Sequence, residues 1–277
     1  QDDYLRLGDK LFDRLSDFNC RKVQLLTTPK DDKVRHLALT EALASKGYEV
    51  VEKPAGSLKG IVSYGLDSVA ALDHLLKENL QKGQGENPVD LMDDGVGDIL
   101  LTGSASLLTA PGVPKPSYYG YAGLSLLQGS LLTWGKYYSV IRLDGHAAGF
   151  VIVAFHFNEE TEGLCARNAT LHETKDILSH FIDELDINFS LRQLSGDYLV
   201  TRYAIDGRNN VFDYMAKLNF TNPLGRVDTK SALIYSTPAV EVYTEKTIGE
   251  LGINVSIKGA GAQFVVIQKV AEESIRE

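Results

Sequence analysis

Chemistry needs side chains that ionise, and this chain clusters a few of them. The run DLMDDGVGD, residues 90–98, puts Asp93, Asp94 and Asp98 in one glycine-containing loop. Their oxygens suit a hard cation. The spacing does not follow the calcium-binding helix–loop–helix pattern, however, and no glutamate closes the loop. The run therefore reads as a solvated loop, and no metal is assigned. The six histidines show no metal-ligand spacing. His172 and His180 flank an expected short helix, and His156 lies between Phe155 and Phe157, so all read as structural. The two cysteines, Cys20 and Cys165, match no metal-ligand spacing. Two isolated thiols fit a reducing cytoplasm. No G-x-S-x-G turn, phosphate loop or dinucleotide fingerprint occurs, so no cofactor is expected. Tyr118, Tyr119 and Tyr121 invite a sugar-stacking reading. At helical spacing, aromatic residues more often fill a core, and packing is the reading taken.

Those side chains must be placed by two stretches of different texture, with LLTAPGVPKPSYYGYAGL, residues 107–124, between them. Ala110-Pro111-Gly112 is turn chemistry, because proline fixes φ and glycine accepts a positive φ. Pro114 and Pro116 cannot both lie inside a helix. A helix is predicted to open at or after Pro116, with that proline near its first turn. Tyr118, Tyr121, Leu124 and Leu127 then lie along one face. Upstream, apolar residues recur at helical spacing between short apolar runs. An amphipathic helix is predicted over 4–18, and a strand over 23–27. The next helix is capped by Asp31 or Asp32 and carries Val34, Leu37, Ala38 and Ala42. With a strand over 48–51 this makes a βαβ unit with parallel strands. A third strand at 60–64, a helix over 67–80 capped by Asp67, and a fourth strand at 100–102 follow.

Downstream of residue 131 the chain alternates apolar and polar residues. Strands are predicted over 137–143 and 149–157, with Asp144-Gly145 as a hairpin signal. Others span 186–194 and 198–205, joined by Ser195-Gly196-Asp197, then 240–244, 253–258 and 263–268, with a turn at 259–261. Residues 159–170 read as loop, and short helices are predicted at 173–182 and 211–218. Many strands at short spacing make a sandwich. The expected fold is an α/β N-terminal half, either part of a barrel or a small open parallel sheet, followed by an all-β sandwich. The expected domains are 1–127 and 128–277.

The 277 residues suit one large or two ordinary domains. A composition of 44% hydrophobic and 23% charged residues is that of a globular protein. The first half is too short for an eight-unit barrel, which takes about 250 residues. The net charge of -9 argues against a nucleic-acid-binding face. No apolar run approaches a membrane span and no export leader is read at the start, so a cytoplasmic location is expected.

The run around PKPSYYGY resembles the segment that closes the catalytic barrel in glycoside hydrolase family 39, the β-xylosidase family. There a GLLT-x-x-GIPKPxYYA run leaves the last barrel strand and opens the last helix. DYLVTRYAID (197–206) and NNVFDYMAKL (209–218) resemble that family's terminal β-domain, in the version fused behind AraC-type DNA-binding domains in Gram-positive regulators. The resemblance covers roughly the last two-thirds of the chain.

That resemblance implies a sugar or oligosaccharide ligand and two glutamates. A retaining glycosidase holds its carboxylates about 5–5.5 Å apart, one as acid/base and one as nucleophile. In the family one lies in a tryptophan-asparagine-glutamate-proline run and the other in a threonine-glutamate-tryptophan run. Neither run occurs here. Asn87-Pro88 and Asn222-Pro223 lack the intervening glutamate, and the one tryptophan, Trp134, falls in a predicted sandwich strand. The strand that should carry the nucleophile, GIVSY at 60–64, has no carboxylate. Glu41, in the first βαβ unit with Glu49, is expected to face solvent. Asp98 resembles the aspartate of a serine–aspartate step after the seventh barrel strand, near the substrate cleft. It is the one substrate-binding candidate, and no catalytic residue is assigned.

The expected function is a non-catalytic glycosidase-like module, for sugar sensing or oligomerisation in a cytoplasmic regulator. Its active-site half is lost or lies outside this sequence. The alternative is a retaining hydrolase of β-xylosides or related oligosaccharides. Exposed sandwich edges point to a homodimer. No contact with nucleic acid or membrane is expected.

Overall fold

The computed structural model describes residues 22–27, 40–47, 49–54, 62–81, 91–93, 99–144, 149–221 and 226–270. The chain divides into two compact units, Gln1–Gly60 and Ile61–Glu277. The expected boundary at residue 127 falls inside the second.

In the first unit, β1 (Lys22–Thr27) and β2 (Glu49–Pro54) pair in parallel, with Val23 opposite Val50. Parallel neighbours need a crossover, and residues 40–45 between them are helical. Glu41 is exposed there, as expected, and the buried side chain is Leu43 rather than Ala42, which is half-buried. The helix expected over 4–18 lies outside the described residues.

The second unit is built on one antiparallel sheet. Its strands are β3 (Gly129–Gly135), β4 (Tyr138–Leu143), β5 (Gly149–His156), β6 (Glu184–Asp206), β7 (Ala239–Lys258) and β8 (Gly261–Lys269). They lie in the order β3-β4-β5-β8-β6-β7. The sequence led to several short strands in a two-sheet sandwich; the structure has fewer, longer strands in one sheet. Ser195-Gly196-Asp197, expected as a turn, lies inside β6. The chain bends there instead of reversing. Between Arg192 and Leu194 the register against β7 slips by one residue, with Gln193 at φ 62°. Such a bulge kinks a strand and increases its twist. Before the bend, β6 pairs with β7 alone; from Tyr198 onward it also pairs with β8. The two-stranded ribbon folds back over the sheet. Leu251, Ile253, Val255 and Ile257 alternate inward and pack with Val140, Ile152, Val265 and Ile267. Tyr138 meets Phe189 of the ribbon edge-on, at 5.2 Å between ring centroids. One folded sheet thus supplies both layers.

Helices cover the other face. α1 (Val69–Gln81) sets Val69, Leu72 and Leu76 against Val151, Val153, Phe155 and Phe264. α2 (Pro116–Ser125) opens on Pro116, as predicted. Its buried stripe is Pro116, Gly120 and Gly123 rather than the tyrosines. Gly123 is required by close approach: a Cβ there would stand 2.1 Å from the Phe264 ring.

α3 (Glu159–Ala166) forms where a loop was expected. Its polar sequence conceals a capping box: the Thr161 N–H donates to Asn158 Oδ1 at 2.8 Å and the Asn158 N–H to Thr161 Oγ1 at 3.0 Å. Glu159, Glu160 and Glu162 lie in the first turn, where the helix dipole favours anions. α4 (Leu171–His180) and α5 (Val211–Lys217) follow the predicted positions, and α6 (Arg226–Tyr235) has no counterpart in the sequence reading. Among the described residues, neither 62–64 nor 100–102 forms the expected strand. Ser63 makes an isolated bridge and runs into a 3-10 turn, Tyr64–Asp67, while residues 99–102 are irregular.

One polar side chain sits on the buried side of α1. Asp73 is 2% exposed. Burial pushes its carboxyl well above the ordinary value of 3.8, with the Gly261 backbone N–H pulling the other way. A carboxyl that holds its proton more tightly when folded makes the fold less stable as pH rises. The loss begins near 3.8 and runs up to the raised native value. Asp73→Asn removes this titration. The stability advantage of the variant over the parent should therefore widen between pH 4 and pH 7 in urea unfolding, by at most about 1.4 kcal/mol per pH unit. A constant difference across that range would contradict the assignment.

Candidate functional site

Four segments converge on one buried ammonium. Residues 91–93 run alongside 107–108: the Asp93 N–H donates to Leu108 O and the Leu108 N–H to Leu91 O, both at 2.9 Å. The chain then reverses through Ala110-Pro111-Gly112, as the turn chemistry predicts. The Gly112 N–H donates to Thr109 O at 2.8 Å, with Gly112 at φ 86°. The Thr109 N–H donates to Val113 O, and the Val113 N–H to Thr109 Oγ1, each at 2.9 Å. The Lys115 N–H returns to Leu107 O at 2.9 Å. This hairpin delivers Lys115 to the residue before α2. Underneath, Leu100, Leu101 and Val113 pack on Val211, Phe212 and Met215 of α5.

Lys115 is fully buried. Its Nζ lies 2.5 Å from Asp67 Oδ1 and 3.5 Å from Asp93 Oδ2. It also donates to Ser104 O at 3.1 Å and Ser104 Oγ at 3.3 Å. The carboxylates have further donors. The Gly103 N–H donates to Asp67 Oδ2 at 2.7 Å, the Ser104 hydroxyl to Asp93 Oδ2 at 2.8 Å, and the Thr102 hydroxyl to the same oxygen. Burial pushes the Asp67 carboxyl above 3.8, while the Lys115 ammonium and the Gly103 N–H pull it back. Buried charges survive only when paired and hydrogen-bonded in this way. The side chains of Asp67 and Asp93 are 0% and 1% exposed. An ammonium fills the space between them, and neither presents an oxygen to a ligand. The cluster is suited to holding backbone segments together, not to proton transfer with a substrate.

The sequence candidates fall differently. Asp98 and Asp94 lie outside the described residues. Asp93, read as a loop acid, is the second carboxylate of the cluster. Asp67, expected to cap α1, does not; Ser68 does, accepting from the Ala70 N–H at 3.2 Å. Glu49 is exposed. His156 is buried beside Phe181, with Nδ1 2.9 Å from Gly259 O, and burial holds its pKa below 6.5. Tyr119 is half-buried against the core beneath α2, and burial pushes Tyr119 and Tyr121 up to about 12. Cys165 is a free thiol pushed up to about 12, again by burial, which makes it a poor nucleophile. Trp134 stands on β3 at 59% exposure. Sequence reasoning missed Lys115. The available signal was a lysine held between two prolines in an apolar stretch.

Lys115→Met leaves two buried carboxylates without their cation. A loss of about 3–5 kcal/mol in urea unfolding is expected, with partial recovery in Lys115→Met combined with Asp67→Asn. A single variant as stable as the parent would show that the ammonium is dispensable.

No family model matches the chain, and no curated protein matches it in sequence. Solved structures do match. A GH39 enzyme from Xanthomonas axonopodis pv. citri superposes with a TM-score of 0.60 at 12% identity, over 90% of this chain and 55% of that one. A monomeric β-xylosidase from Caulobacter crescentus CB15 gives a TM-score of 0.59 at 13% identity, over 91% of this chain and 56% of that one. A bacterial orthologue of human α-L-iduronidase gives 0.52 at 10% identity, over 91% of this chain and 50% of that one. The chain spans about half the length of these enzymes. Within that span its fold is that of the GH39 glycoside hydrolases.

Proposed function

We propose that this chain is a non-hydrolytic glycosidase-like module, serving sugar sensing or oligomerisation in a cytoplasmic regulator of the kind that carries an AraC-type DNA-binding domain. The observation that carries this reading is the Lys115 cluster. Double displacement needs one carboxylate free to attack and another free to give up a proton, with the glycosidic bond between them. Asp67 and Asp93 have a lysine ammonium between them and no exposed oxygen. The lack of both glutamate runs in the sequence supports the same conclusion.

The ligand of such a module is a small sugar or an oligosaccharide. The free Cys165 thiol suits a reducing cytoplasm. Edge strand β3 exposes Leu131, Leu132 and Trp134 at 53%, 52% and 59%, and such an edge favours pairing with a second copy of the chain.

Titration calorimetry with xylose, xylobiose and longer xylo-oligosaccharides, run beside hydrolysis of a nitrophenyl β-xyloside, tests the proposal. Binding without nitrophenol release is the expected result. No heat with any sugar removes the sensing role, and a dimeric mass in light scattering must then support the oligomerisation role. Nitrophenol release that disappears when one carboxylate becomes an amide overturns the proposal. It would make the chain a retaining hydrolase of β-xylosides, the activity named for the Caulobacter enzyme.

A further inference from the structure

A cavity of about 330 Å³ opens between α4, α5 and the turn from β7 to β8. None of its lining residues belongs to the Lys115 cluster. Its buried lining is apolar, with Phe181 and Phe212 only 6% and 3% exposed, next to Leu178. Ile182 adds an apolar side chain that is 67% exposed, surface that water covers unfavourably.

The charges of the cavity are unbalanced. Lys175, Arg208 and Lys258 face a single carboxylate, Asp213. That carboxylate is answered by other groups: Lys217 Nζ lies 2.9 Å from Asp213 Oδ2, and the Tyr235 hydroxyl donates to it at 2.6 Å. Arg208 has an ion-pair contact at 3.3 Å with Asp206, and its own side chain is 75% exposed. Such a contact is weak in water. Lys175 and Lys258 enter no ion pair among the described residues; Lys175 lies 5.9 Å from the Phe220 ring centre. On a chain of net charge -9, this is a local reversal of sign over an apolar hollow.

We propose that this cavity binds a small organic anion. A carboxylate or phosphate head is held by Lys175, Arg208 and Lys258, and a compact apolar body packs on Leu178, Phe181 and Phe212. Ligand pockets span about 300–1,000 Å³, so this one admits a body of a single ring rather than an oligosaccharide. Neutral sugars offer these cations no charge. The site and its ligand are therefore separate from the sugar-sensing reading and stand or fall independently of it.

Protein-observed NMR titration tests the proposal, with phenyl phosphate and benzoate as probes and benzyl alcohol as the neutral control. Both anions should give saturable shifts that include the Gly207 and Gly259 amides, and the alcohol should give none at the same concentration. If one anion alone binds, the head group is identified and the site stands. In the double variant Lys175→Gln with Lys258→Gln, both side chains of which are exposed, affinity should fall about tenfold. Three outcomes overturn the site: no saturable shift with either anion, equal binding of the alcohol, or an unchanged affinity in the double variant.

Discussion

The structure of the second unit depends on one buried cation being satisfied. A lysine ammonium without exposed surface is tolerated only when acceptors surround it. Lys115 has Asp67, Asp93 and Ser104 around it, drawn from separate segments. Asp67 lies two residues before the start of α1, next to its cap Ser68, and Lys115 immediately precedes α2. The ion pair therefore fixes the origins of the two helices that cover the sheet. From those origins the packing follows: Leu72 and Leu76 of α1 reach the sheet core, and Gly123 of α2 admits the Phe264 ring. A change at the cation would be felt along both helices, because close-packed interiors transmit strain.

The same cluster separates fold from chemistry. The backbone follows that of the GH39 enzymes over the span described, but fold alone does not assign activity. A carboxylate that serves catalysis needs an accessible oxygen and room for substrate beside it. One that serves structure needs the opposite, a full set of donors and no water. Asp67 and Asp93 lie closer to the second description: both are buried, Asp67 against the Gly103 N–H and the Lys115 ammonium, Asp93 against the Ser104 hydroxyl and the same ammonium. Acidic residues in this region act as anchors for backbone amides, hydroxyls and a lysine.

Much of the fold was legible in the sequence where local chemistry decides it. The Pro111-Gly112 reversal and the Pro116 helix start follow from restricted φ and a missing N–H. The alternation from Ile253 to Ile257 follows from the two-residue period of a strand with one buried face. What was not legible depends on distant partners. Whether Ser195-Gly196-Asp197 turns or bends is decided by β7, which pairs with β6 on either side of it, and by β8, which joins from Tyr198 onward. The capping box that opens α3 was legible in principle, since Asn158 and Thr161 have the right spacing, but the polar run around them masked it. The identity of the buried acids was hidden for the same long-range reason. Asp67 resembles any cap residue until Lys115, distant in sequence, is seen beside it. The Asp98 candidate rested on resemblance alone and falls outside the described residues.

Under the non-hydrolytic reading proposed above, no carboxylate of this chain acts as a glycosidase nucleophile. A retaining enzyme passes through a covalent glycosyl intermediate, and a 2-fluoro sugar with a good leaving group slows its breakdown enough to be weighed. Intact-protein mass spectrometry after incubation with dinitrophenyl 2-deoxy-2-fluoro-β-xyloside is the most direct test. An unchanged mass is predicted. A single added fluoroxylosyl group, mapped to one Asp or Glu, would contradict the account.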